Sequence, residues 1–146
     1  NLTAMENLKI ACTLYGLPLK RAEEVIDIVG LNQTGKKKVR NFSMGMKQRL
    51  GLGMAIINNP KLIILDEPTN GLDPIGIEEL RELIKSFSSQ GITVILSSHI
   101  LSEVAQVADE IGIISNGVIG YSGEIKDKGN LEKLFMEIVE RNRGEN

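Results

Sequence analysis

The sequence predicts an α/β fold in which buried strands of a parallel sheet bring polar residues to one edge. Two runs carry that prediction. Leu62-Ile63-Ile64-Leu65 is four apolar residues ending on adjacent carboxylates, Asp66 and Glu67. Ile92-Thr93-Val94-Ile95-Leu96 is a second continuous run, ending in Ser97-Ser98-His99. Apolar runs without alternation mark strands covered on both faces, and open parallel sheets place ligands outside the carboxyl ends of their strands. The ends of both runs should therefore face one crevice. A third observation is that helical periodicity fills most of the chain outside these runs.

Composition sets the frame. The 146 residues fit one domain, and 42% apolar with 25% charged residues is a globular balance. A net charge of -2 gives no basic field, so nucleic acid is not expected as a partner. The single cysteine, Cys12, cannot form an internal disulfide, and its place among Leu8, Ala11 and Tyr15 suggests helix core. No apolar run approaches the ~20 residues that span a bilayer. Any membrane role is expected to come through another chain. The sequence starts at Asn1, almost directly on a helix start, so upstream sequence is expected to be missing.

Taken in order, Thr3 and Glu6 form a Thr-x-x-Glu capping box, and Met5, Leu8, Ala11, Cys12 and Tyr15 follow at helical spacing. Gly16 and Pro18 stop that helix. A second helix is predicted from Leu19 to Val29, with Ala22, Val25, Ile26 and Val29 on one face and Gly30 as terminator. The two make a helical hairpin.

The stretch Gly30-Leu31-Asn32-Gln33-Thr34-Gly35-Lys36-Lys37 matches the phosphate-loop pattern G-x-x-x-x-G-K, but Lys37 stands where Ser or Thr should bind Mg²⁺. A true phosphate loop joins a strand to a helix, whereas this one follows a helix and precedes the extended-looking Lys38-Val39-Arg40-Asn41. It reads as a basic connector. No other match exists among the 146 residues.

Phe42-Ser43-Met44-Gly45-Met46-Lys47-Gln48-Arg49 opens a helix ending near Asn58 and Asn59, ahead of Pro60. Ser43 is a good N-cap, and the free N–H groups of the first turn make an anion site, though such a cap alone means only a capped helix. After 62 to 65, Asp73-Pro74 is an N-cap followed by proline at the first helical position. That helix runs to Phe87, with Ile77, Leu80, Leu83, Ile84 and Phe87 inward. A short helix through Ile100, Leu101, Val104 and Val107 leads to a strand at Glu110 to Ser115. Asn116-Gly117 is a type I′ hairpin signal joining it to Val118-Ile119-Gly120-Tyr121. The tail from Asn130 to Arg141 is an amphipathic docking helix through Leu131, Leu134, Phe135, Ile138 and Val139. His99 is the only histidine, and on its own a histidine there reads as a cap or packing residue.

The serine-glycine stretch opening a helix, then Leu-Ile-Ile-Leu-Asp-Glu-Pro-Thr, then Gly-Leu-Asp, then Ser-Ser-His, resembles the ATP-binding subunit of ABC transporters. Met44-Gly45-Met46-Lys47-Gln48-Arg49 looks most like the bacterial drug, bacitracin and lantibiotic-type peptide exporters. The resemblance implies a P-loop NTPase-like cassette that is incomplete. Residues 1–60 would be its helical subdomain with the signature, and 61–146 the C-terminal part of the ATPase core. The usual Leu-Ser-Gly-Gly-Gln stands here as Phe42-Ser43-Met44-Gly45-Met46, so Ser43 and Gly45 carry over while the first Gly and the Gln do not. The family's phosphate loop, adenine-stacking aromatic and Gln-bearing loop, which precede the helical subdomain, have no counterpart here.

What the resemblance implies is specific. ATP and Mg²⁺ are the expected ligands, with Asp66 on the metal and Glu67 orienting or deprotonating the attacking water. His99 would hydrogen-bond the γ-phosphate. Ser43 and Gly45 would serve ATP held by a second ATP-binding subunit, identical or homologous, and Asp73 would report across that dimer. A membrane-spanning permease is the other expected partner, holding the protein at the cytoplasmic face of the cell membrane, with the hairpin 3–29 near the docking surface. The family places its phosphate-loop strand between strands 92–97 and 111–115, so these two are expected not to be neighbours. Two other functions stay open: a soluble ABC ATPase of translation or DNA repair, or an interaction module without activity. Without a phosphate loop, the 146 residues alone are expected not to hydrolyse ATP.

Overall fold

The computed structural model describes residues 1–125 and 128–143. They form two compact units, Asn1–Ser97 and the part that begins at Ser98.

The first unit opens with α1 (Ala4–Leu14) and α2 (Lys20–Ile28), the expected hairpin. The Thr3 Oγ1 accepts from the Glu6 N–H at 3.1 Å while the Thr3 N–H donates to Glu6 Oε2 at 2.6 Å, so each of two orphan N–H groups at the start of α1 finds the other residue's side-chain oxygen. Gly16, at φ 66, lets the chain turn out of α1. The faces read from the sequence meet for the most part: Leu8, Ala11 and Cys12 of α1 and Ala22, Val25, Ile26 and the C-cap Val29 of α2 are buried, Met5 is half-buried and Ala4 joins the buried set, with Leu50, Leu52 and Ile56 of α3 (Met44–Ile56). Tyr15 is instead exposed, because it falls at the C-cap, beyond the last turn that faces α2. Arg21 ties the hairpin to the end of α3, donating from Nε to the Ile57 carbonyl at 3.0 Å and from Nη2 to the Ile56 carbonyl at 3.1 Å. The stretch 38–41, expected to be extended, departs from that expectation. Val39–Asn41 is a 3-10 turn, and only Lys38 is bridge-paired, with Thr3.

The strands β1 (Leu62–Leu65) and β2 (Thr93–Leu96) pair in parallel, Leu62 with Thr93 through Leu65 with Leu96. Between them runs α4 (Pro74–Ser89), capped by Asp73, whose Oδ1 accepts from the Gly76 N–H at 2.7 Å. Leu80, Ile84 and Phe87 of α4 are buried, and α4 packs on β2. The sequence predicted both faces of these strands to be covered. Within the described chain one face is: Ile63 and Leu65 are buried, but Ile64 is 72% and Ile95 53% exposed.

The second unit holds α5 (Leu101–Val107), the antiparallel pair β3 (Glu110–Ser115) and β4 (Val118–Glu124), and α6 (Leu131–Arg143). Asn116 and Gly117 both have positive φ, 52 and 78, as a type I′ turn requires. The strand β4 runs three residues past Tyr121, with a register shift at Ile113/Ile114. The helix α6 packs on this hairpin through Leu131 and Ile138. Gly120 makes that approach possible, since a Cβ there would lie 2.3 Å from Ile138 Cγ2. Strands β2 and β3 belong to separate sheets, as the family's strand order led us to expect.

Candidate functional site

The parallel register puts the carboxyl ends of β1 and β2 at one edge, and the chain leaves that edge as Asp66-Glu67 and Ser97. The Ser97 N–H donates to the Leu65 carbonyl at 2.9 Å, extending the ladder by one rung. The Ser97 hydroxyl then does two jobs. It donates to Asp66 Oδ1 at 2.5 Å and accepts from the Glu67 N–H at 2.9 Å. One hydroxyl thus orients the Asp66 carboxylate and fixes the backbone of Glu67. That backbone is unusual. Glu67 sits at φ 45, and among the described residues the other non-glycine positions with positive φ are Asn59 and Asn116. Asparagine accepts left-handed backbone readily, whereas glutamate there is strained by roughly 1–2 kcal/mol.

From Glu67 the chain makes a compact loop. The Asn70 N–H donates to the Glu67 carbonyl and the Leu72 N–H to the Thr69 carbonyl, Pro68 is buried, and the loop ends at the Asp73 cap of α4. It also meets the start of α3. Ser43 Oγ accepts from the Met46 N–H at 3.3 Å, which confirms the predicted N-cap. A Cβ on Gly45 would lie 3.8 Å from Leu72 Cδ2, and one on Gly71 would lie 3.7 Å from Met44 Cγ. The first turn of α3 and the loop 71–73 therefore lie close together. Four of the residues singled out from the sequence, Ser43, Gly45, Asp66 and Asp73, thus stand on two helix starts and a strand end of one unit, with Glu67 beside them. His99 belongs to the second unit and is exposed. The stretch Gly30–Lys37 follows a helix and contains a short 3-10 turn at Asn32–Thr34, not the strand-to-helix setting of a phosphate loop.

Two participants escaped the sequence reading. Ser97 stood in the quoted Ser-Ser-His run, but only its register opposite Asp66 gives it a role, and register is not visible in a single strand. Arg49 pairs with Glu79 across α3 and α4, a contact between residues 30 apart in sequence.

Comparison with known proteins bears on the family and the fold. The ABC transporter family model matches residues 1–70. The lantibiotic transport ATP-binding protein SrtF of Streptococcus pyogenes is 53% identical over 135 residues, 92% of this chain and 59% of that protein. The bacitracin transport ATP-binding protein BcrA of Bacillus licheniformis is 56% identical over 119 residues, 80% of this chain and 39% of that one. The chain therefore spans about three fifths of the length of SrtF and less of BcrA. Among solved structures, an ATP-binding subunit of an ABC transporter superposes with a TM-score of 0.78 at 30% identity, covering 95% of this chain and 63% of that one. The cbiO1 protein of Clostridium perfringens, part of an ABC transporter complex, does so with a TM-score of 0.78 at 25% identity, covering 97% and 56%. By sequence and by fold, the chain belongs to the ATP-binding cassettes of the ABC transporter family.

Proposed function

We propose that the intact protein hydrolyses ATP to drive export of a peptide antibiotic, working with a membrane-spanning permease and a second ATP-binding subunit. The observation that carries the hydrolytic part is the Asp66-Glu67 pair at the shared carboxyl edge of β1 and β2, with Ser97 fixing both. The peptide class follows from the likeness to SrtF and BcrA.

Each residue has a task in this reading. Asp66 would hold Mg²⁺, directly or through water. The donor chemistry fits: Mg²⁺ uses one or two carboxylates and fills its remaining positions with water and nucleotide phosphates. Asp66 offers one exposed carboxylate, and among the described residues no group of three or more His, Cys, Asp or Glu forms a protein-only cage. When bound, the metal neutralises charge on the β and γ phosphates. Glu67 orients the attacking water and accepts its proton. His99 donates to the γ-phosphate, where charge develops. Ser43 and Gly45 present the first turn of α3 to ATP held by the second subunit, and Asp73 signals across that dimer.

The functional division is 1–60 as helical subdomain with the signature and 61–146 as the remaining core. Among the described residues no helix is long and apolar enough to cross a membrane. Placement at the cytoplasmic face accordingly comes through the permease, with the hairpin 3–29 near the docking surface.

The test is Glu67→Gln in the intact protein, which keeps the size of the side chain and removes its basicity. ATP binding should stay within a few-fold of wild type while turnover falls ~10²–10⁴-fold. Unchanged turnover would move the base elsewhere, with His99 the first residue to try.

A further inference from the structure

Three elements of the first unit meet at one guanidinium. Arg49, in the middle of α3, pairs with Glu79 on α4, and its side chain is only 23% exposed. Its other flank lies on the end of α2, where a Cβ on Gly30 would come within 2.7 Å of Nη1. Gly30 thus lies beside this guanidinium, and a larger residue there would make the end of the Arg49 side chain shift. Arginine suits such a place because its planar fork can stack on backbone and still reach a carboxylate. Arg49 lies about one and two-thirds turns along α3 from Ser43, and Glu79 the same distance along α4 from Asp73. Near the start of the same helices the Met44 side chain lies beside Gly71 and the Leu72 side chain beside Gly45, 3.7 and 3.8 Å from where a Cβ would stand. The helices α3 and α4 are therefore held together twice, once by close apolar approach near their N-termini and once by the ion pair.

We infer that Arg49, beside Gly30 and paired with Glu79, is a positioning residue that makes the α3 N-terminus and the 71–73 loop approach the second subunit's nucleotide as one rigid piece. This rests on the reading of Ser43 and Gly45 given above. It adds a latch between the helical part and the core that Ser43 and Gly45 do not themselves supply. Arg49 touches no reacting atom. Its effect is on the fraction of dimers in which signature and loop arrive together, which acts on turnover and not on capture of ATP by the phosphate loop.

A double-mutant cycle on steady-state ATPase in the intact protein tests this. Arg49→Ala and Glu79→Ala should each lower kcat about threefold to tenfold, with KM for ATP within twofold, and the double variant should be no slower than either single. Additive losses, or kcat at wild-type level in both singles, would overturn the latch. Gly30→Ala supplies an independent check. It should reproduce the loss by displacing Arg49, whereas Gly91→Ala, at a positive φ of 81 but with nothing within 4 Å, carries the backbone strain alone and should leave kcat unchanged. Equal effects of the two glycine variants would also overturn it. Ser43→Arg separates the two levels of inference. If it leaves turnover intact, the α3 anion site itself is wrong. If it abolishes turnover while the cycle is additive, only the latch is wrong.

Discussion

At the scale of single residues, hydrogen bonds from fixed donors decide how side chains behave. Glu6 shows this at the start of α1. The Thr3 N–H donates to its carboxylate, and Lys38 Nζ stands 3.1 Å from the same oxygen. The charged form is favoured, first by the backbone donor and then by Lys38, so the pKa lies below the ordinary value of 4.5. The sign follows from linkage. An unfolded chain binds the proton first as pH falls, so the capping box contributes its full stability above pH 4.5 and loses it as pH drops through the lower folded value. Amide protection factors in the first turn of α1, taken relative to the intrinsic exchange rate, should therefore fall below that pH, and Glu6→Gln should remove the acid-side step. Sequence alone revealed this box, because both partners lie within one turn and the reciprocal bonds need no tertiary context. The Ser97 bridge to Asp66 was not legible for the opposite reason. It joins residues 31 apart in sequence, and only the register of β1 on β2 brings them together.

At the scale of elements, the same helix carries two glycines with opposite meanings. On α3, a Cβ on Gly53 would meet Val25 Cγ1 at 3.2 Å and both Val29 methyl carbons at 3.4 Å, whereas one on Gly51 would meet nothing within 4 Å. Gly53 lies tight against Val25 and Val29; Gly51 faces solvent and only weakens the helix. Gly53→Val should destabilise by ~1–3 kcal/mol through overpacking, and Gly51→Ala should stabilise by up to ~1 kcal/mol through helix propensity. Thermal or denaturant midpoints of the two variants, measured side by side, check both signs. Helix spans and buried faces here were readable from periodicity because each helix buries one stripe. The strands were less so: a continuous apolar run predicted cover on both faces, but periodicity cannot say which segments supply that cover. Hence Ile64 and Ile95 stand exposed within the described chain although the run around them was read correctly as parallel strand.

At the scale of the whole molecule, the reading proposed here has the residues gathered in the first unit act on a nucleotide held elsewhere. Triphosphate binding in P-loop NTPases uses a cradle of backbone N–H groups and a lysine around the β and γ phosphates. The one partial match in the chain, ending in Lys36-Lys37, hangs from a helix. We therefore expect these 146 residues by themselves to show negligible heat with Mg-ATP in calorimetry and background phosphate release. Submicromolar ATP binding that disappears on Lys36→Ala would make the connector a phosphate site after all. Order and spacing of the short motifs disclosed the family because each is local. Which of them act together was not disclosed, since that depends on how separate segments pack.

The left-handed backbone at Glu67 has a meaning for anyone who redesigns this protein. A stability-guided procedure would choose glycine there first, because glycine removes the steric cost at φ 45 without disturbing the Ser97 bond to the N–H. On the reading proposed here, that choice deletes the general base. Folding and turnover pull position 67 in opposite directions, so a thermostabilised version of this cassette must find its gains elsewhere and leave this carboxylate in its uncomfortable pose.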